Sequence, residues 1–185
     1  MRFFHLLPLL FCLLAPVHTL ALDYIQLKRN GQTQHVQGKL LVEAQDGGLL
    51  LEDANSKLWA VLPEELVRHT TDEMPFAPAD ADELADALLE ELGEGFSVHQ
   101  TAHYLIAYNT NKAYAQWCGA LYERLYSSFY TYWDHRGLKL KEPDQPLVAV
   151  VFDSRETYAR YARPDLGEAV ASIIGYYNLQ TNRVA

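Results

Sequence analysis

Tyr114-Ala-Gln-Trp-Cys-Gly-Ala-Leu-Tyr-Glu-Arg-Leu-Tyr-Ser-Ser-Phe-Tyr-Thr-Tyr-Trp133 is the stretch on which the fold turns. Tyr114, Trp117, Cys118, Leu121, Leu125, Phe129 and Tyr132 recur at spacings of three and four, which places them on one stripe of an α-helix. Asn109 or Thr110 supplies a side-chain acceptor for its first amides, and Gly137 ends it, with His135 and Arg136 in the last turn. At about 1.5 Å per residue such a helix is about 40 Å long. The stripe predicts core packing. An aromatic platform for a sugar or peptide is the competing use of the same rings, but their match to the apolar face favours burial. Tyr122, Tyr126, Tyr130 and Trp133 widen the stripe, so the helix is expected to be covered on more than one side.

The flanks of this helix read as strands. Upstream, Phe96, Val98, Tyr104, Ile106 and Tyr108 alternate through 96–109 as one strand. Downstream, Pro146 introduces Leu147-Val-Ala-Val-Val-Phe152, apolar on both faces and therefore expected at the centre of a covered sheet. Asp153-Ser-Arg-Glu156 resembles a capping box and opens a short helix through Tyr161. Pro164-Asp-Leu-Gly167 reads as a turn, and a further strand starts at Ile174.

Residues 22–70 read as a small β-module of four strands. The turns are Asn30-Gly31, Gln45-Asp-Gly-Gly48 and Asn55-Ser56. Its Gly-x-Leu-Leu-Val, Gly-Leu-Leu-Leu-Glu and Trp-Ala-Val-Leu-Pro runs look like an SH3-like barrel. Residues 71–95 read as a linker followed by one acidic amphipathic helix with Leu84, Leu88, Leu89 and Leu92 in register. Residues 1–21 have the build of a signal peptide: Arg2, an apolar run from Phe3 to Leu14, then Thr19-Leu-Ala21. That run is too short to span a bilayer as a helix. The chain is therefore expected to be exported (periplasmic, cell envelope or secreted), with no transmembrane segment after cleavage.

Without Arg2 the chain carries 14 basic and 24 acidic residues, a formal charge of −10, which would repel phosphate backbones and argues against nucleic-acid partners. Only Cys118 remains beyond the leader, which excludes an internal disulfide and a structural zinc site built on two or more cysteines. Cys118, on the apolar stripe with no activating base placed beside it, is expected to be an inert thiol. Asp80–Glu91 reads as a solvated acidic helix face rather than a calcium loop. His99-Gln-Thr-Ala-His103 has the paired histidines of the zincin H-E-x-x-H, but Gln100 cannot serve as the base. On a strand the two rings would also stand about 13 Å apart. No catalytic or metal-binding residue is assigned. Gly175, Tyr176 and Tyr177 are the one candidate site, as a substrate-side edge strand or an ordinary sheet member.

Five stretches taken in order resemble one family of exported bacterial proteins. They are Ala102-His-Tyr-Leu-Ile-Ala-Tyr-Asn-Thr110, Tyr114–Tyr126, Phe129–Trp133, Pro146–Phe152 and Ile173-Ile-Gly-Tyr-Tyr177. The set is similar to the DUF1570 family, which looks like the peptidase MA (gluzincin) group of zinc peptidases; the likeness covers about 96–185. It implies an α+β fold: a small N-terminal SH3-like β-module, then an incomplete zincin-like α/β half-domain with a long aromatic helix. It implies a peptide or protein substrate, and zinc, only for a full-length member, whose H-E-x-x-H lies further downstream. No residue here matches that motif, so no cofactor is expected in this chain. The expectation is the front portion of such a protein, inactive as given. The alternative is a self-contained exported binding or scaffolding module. A hydrolase built on unrecognised residues is a third reading. The sequence leaves the oligomeric state open.

Overall fold

The computed structural model describes residues 21–185; the leader predicted at 1–21 falls outside them except for Ala21, which opens the first strand. The fold is α+β. Five antiparallel strands come first: β1 (Ala21–Arg29), β2 (Gln32–Glu43), β3 (Leu49–Glu52), β4 (Leu58–Val61) and β5 (Leu66–Pro75). They form one sheet in the order β4-β3-β2-β1-β5. Asn30 and Gly31 both take positive φ, 53° and 78°, the geometry of the tight hairpin turn their sequence predicts. Alternate residues of these strands, Ile25, Leu27, Val36, Leu49, Leu51 and Val61, make the core. At Gly38 a Cβ would stand 2.4 Å from the Glu52 carbonyl oxygen, so only glycine lets β2 come this close to β3.

The fifth strand differs from the sequence reading, which ended the module at residue 70 and made 71 onward a linker. β5 continues to Pro75, paired with β1 at Thr71↔Asp23 and Asp72↔Leu22. It is an edge strand with little burial, so it carries no apolar alternation by which to be recognised. The acidic helix α1 (Ala81–Leu92) is likewise no part of a tether. It is capped by Asp80 with Glu83 reciprocating, and Leu84 and Leu88 are fully buried against Leu105 and Val148.

The second sheet comprises β6 (Ser97–Gln100), β7 (Tyr104–Tyr108), β8 (Leu147–Val151), β9 (Tyr177–Asn178) and β10 (Arg183–Val184), in the order β6-β7-β8-β10-β9. β7, β8 and β10 run parallel, and β6 and β9 are antiparallel edges. The one strand expected over 96–109 is thus a hairpin that turns at Thr101–His103. The strand expected from Ile174 is also two, joined by a turn in which Asn182 has φ 56°. All five residues of β7 are buried. Leu105 packs on α1. Tyr104, Ile106 and Tyr108 point the other way, to the long helix α2 (Lys112–Asp134).

Helix α2 starts one or two residues later than the sequence suggests. Asn111, not Asn109 or Thr110, caps it, its side-chain oxygen accepting the Tyr114 amide at 2.8 Å. Helix α3 (Arg155–Leu166) is capped by Ser154 with Thr157, not by Asp153 with Glu156, and it runs through Pro164 to end at Gly167 with φ 55°. A 3₁₀ turn (Gly167–Ala171) follows.

Polar contacts clamp the two sheets together. Gln145 Nε2 donates to the Ala54 and Ala79 carbonyls, both at 2.7 Å, and its amide oxygen accepts from Ser56. The Leu58 amide donates to the Gln180 carbonyl at 2.7 Å. Glu91 on α1 receives Lys57 Nζ at 2.9 Å and Arg183 at 2.8 Å, and Arg183 is 2% exposed.

Candidate functional site

β9 is the outermost strand of the second sheet. Tyr176 and Ala185 exchange two backbone hydrogen bonds, 2.8 and 2.9 Å. Amide groups alternate in direction along an antiparallel strand, so those of Gly175 and Tyr177 face the open edge. Of the sequence-predicted residues Tyr177 lies in β9, and Gly175 and Tyr176 lead into it along the same sheet edge, with Tyr176 bonded inward. Gly175 has a steric reason as well, because a Cβ there would sit 3.0 Å from the Ala185 carbonyl oxygen.

The two tyrosines point to opposite faces. Tyr176 joins the α3 cluster and donates its hydroxyl to Asp165 Oδ2 at 2.5 Å, an acceptor shared with Asn178 Nδ2 at 2.8 Å. Burial, then the Asp165 contact, pushes its phenol well above the ordinary tyrosine value, so it stays protonated. Tyr177 lies opposite Val184 on the α2 side of the sheet, is 49% exposed, and donates to Asn182. Asp165 and Asn182 escape the sequence reading because the last turn of α3 and the β9–β10 turn bring them in, with no shared spacing to reveal it.

The histidines of His99–His103 are separated by a turn, so the extended-strand distance does not apply to them. His99 lies against Gly119 of α2. His103 is half-buried, stacked on Tyr126 at 3.9 Å between ring centres, with Nδ1 2.7 Å from Glu123 Oε2. Glu123 Oε1 also accepts from Thr101 Oγ1 at 2.6 Å and from the His103 amide at 2.8 Å. Burial would raise the Glu123 carboxyl, but these hydrogen bonds outweigh it and hold the group below its usual range. A carboxylate that orients an imidazole suits general-base chemistry. Among the described residues no serine or cysteine is hydrogen-bonded to His103, and the geometry is that of a pinned turn.

Cys118 is buried, and burial pushes its thiol up against a smaller opposing hydrogen bond from Tyr114. That is the environment of an unreactive thiol. A cleft of about 570 Å³ opens at the joint between the sheets, lined by Lys39, Phe76, Lys141, Asp144, Gln145 and Thr181 among others. Its charges are mixed, and Gln145 is already committed to the clamp.

Zinc is the metal that the resemblance implies for a longer protein. Among the described residues no three His, Cys, Asp or Glu side chains are placed to hold a metal ion, and His103 Nδ1 is taken by Glu123. The donors present do not fit a zinc centre. No helix of the described residues is long and apolar enough to cross a membrane.

Of the seven stripe residues predicted as core, Cys118 is buried and the other six are not. Tyr114, Trp117, Leu121, Leu125, Phe129 and Tyr132 are 43–61% exposed. The face of α2 turned to the sheet holds Ala115, Cys118, Gly119 and Tyr126, with Tyr122 and Tyr130 half-buried beside them.

Comparison of the chain with models of known protein families, with curated proteins and with solved structures finds no match in any of the three.

Proposed function

We propose that residues 96–185 form the substrate-side portion of an exported zinc-peptidase-like domain of gluzincin type, related to the DUF1570 family. Gly175–Tyr177 is its peptide-receiving strand. The observation that carries this reading is the antiparallel edge strand β9 on a parallel β7-β8-β10 sheet, with the Gly175 and Tyr177 backbones turned outward. An extended peptide adds to such an edge by main-chain hydrogen bonds. Tyr176, tied to Asp165, anchors the strand while Tyr177 offers a half-exposed ring beside it. No hydrolytic step is assigned to these residues, because the described chain provides no water-activating metal group.

The test is the reading frame downstream of codon 185, joined to residues 21–185. The proposal expects an H-E-x-x-H there and one zinc bound per chain by the joined product, lost when either histidine is replaced by alanine. A downstream region without such a motif, or a joined product that binds no zinc, overturns it.

The second reading is an exported binding or scaffolding module without enzymatic activity. The clamp through Gln145 and Glu91, which fixes the β-module on the α/β unit as one surface, favours it. Stable capture of an envelope component by residues 21–185 with no downstream zinc motif would support this second reading against the first.

A further inference from the structure

We infer that the outer face of α2 is a self-association surface, and that two copies of this chain pair through it antiparallel, with Leu125 at the two-fold axis. A helix face left to water normally carries charge. Between Ala113 and Tyr132, Arg124 is the one charged side chain at an exposed position of α2. The rest of that surface is Tyr114, Trp117, Leu121, Leu125 and Phe129 with small residues between them. Leu125 is 61% exposed, the most of the stripe.

The spacing is self-complementary. Leu121 and Phe129 stand four residues to either side of Leu125, so a two-fold axis at Leu125 sets Leu121 opposite the second copy's Phe129. An isologous contact of this kind needs no charged partner, and the stripe offers no charge pattern that would select one. Size agrees. About half of each large side chain is free, and a whole aromatic side chain buries about 150–250 Å², so the stripe contributes roughly 500 Å² per copy toward the roughly 800 Å² a stable interface takes from each partner. Ala120, Arg124 and Ser128 border it and supply the rim.

The experiment is sedimentation of residues 21–185, which hold both sheets and all three helices, over micromolar to tens-of-micromolar concentration. The wild-type chain is expected to sediment as a dimer. Leu125→Glu is expected to weaken the dimer at least about 100-fold, since an unpaired carboxylate enters the interface twice, without changing the thermal melt of the monomer. Val67→Glu, on β5 and 57% exposed, is expected to leave the dimer intact. In a Cys118→Ser background, Leu125→Cys is expected to crosslink two copies on oxidation. Tyr114→Cys is not, because antiparallel pairing sets the two positions about 33 Å apart at about 1.5 Å per residue. A monomer throughout the range, association that Leu125→Glu leaves intact, or equal crosslinking at both positions overturns the inference.

Discussion

Helices α1 and α2 obey the same periodicity rule and use it in opposite ways. On α1 the in-register leucines go down: Leu84 and Leu88 are fully buried under the sheet. On α2 the in-register aromatics and leucines go up, and the sheet is met by Ala115, Gly119 and tyrosines. Periodicity says which residues share a face, but not which face a sheet receives. On α2 that is decided by approach distance. A Cβ on Gly119 would stand 2.9 Å from Thr101 Cγ2 and 3.3 Å from His99 Cδ2, so the backbone can lie against β6 only along the small-residue side. The tyrosine rings then fill the space over β7, Tyr122 stacking on Tyr104 at 5.2 Å and Tyr126 meeting it edge-on.

The contrast breaks most sharply under leucine truncation. Leu88→Ala is expected to destabilise residues 21–185 by about 2–5 kcal/mol, the cost of a buried cavity, and Leu125→Ala by less than about 0.5 kcal/mol. Urea unfolding, run on the dissociated chain, reads both. Equal losses at the two positions would mean that α2 buries the stripe after all.

Gly119→Leu probes the same contrast from the packed side, with a smaller effect. The new side chain collides with Thr101 and His99, and the expected loss is about 1–3 kcal/mol, the usual range for overpacking. Ala120→Leu, one residue away on the exposed side, is expected to change stability by less than about 0.5 kcal/mol. A harmless Gly119→Leu would show that α2 is not seated where its small residues put it.

Where the chain carries its own local signal, sequence and structure agree. The Asn30–Gly31 hairpin, the both-faces-apolar β8 and α1 with its leucines are of this kind, because turn chemistry, burial on two sides and helical spacing are written in adjacent residues. The differences arise where distant groups do the work. Nothing in Thr101-Ala-His103 has glycine, proline or asparagine to announce a turn. The turn is held instead by Glu123, twenty positions away, the lone acid between Lys112 and Asp134. A lone acid in the middle of a helix that is otherwise apolar and small-polar apart from Arg124 is the signal that could have flagged it. β5 is polar on both faces from Arg68 to Glu73, so its pairing to β1 leaves no pattern there. Of the candidate site, Gly175–Tyr177 stood out in the sequence as a strand. Its place at the sheet edge depends on Ala185 and Arg183 returning beside it, and the tether of Tyr176 depends on Asp165 from α3.

The smallest effect separates the helices by what each carboxylate does. Glu91 ties α1 to Arg183 and Lys57, and Glu123 ties α2 to the β6–β7 turn. Burial works to raise both groups, but hydrogen bonding to Arg183 and Lys57 in one case, and to Thr101 and His103 in the other, leaves both lowered. A carboxyl with a depressed folded value binds protons more weakly folded than unfolded. Its contribution is therefore complete above the unfolded value of about 4.3 and is lost as pH falls below it toward the folded value. Each of Glu91→Gln and Glu123→Gln is expected to cost about 1–2 kcal/mol at neutral pH, a charged hydrogen bond discounted for partial exposure. Each is also expected to flatten the fall in urea midpoint between about pH 5 and about pH 3.5. Glu91→Gln should be the costlier, because it strands a guanidinium that is 2% exposed and whose Nε already lacks a partner, whereas Glu123 lets go of Thr101 and His103, which are only half-buried. If Glu123→Gln cost more, the turn on which α2 rests would outweigh the ion pair that fastens α1.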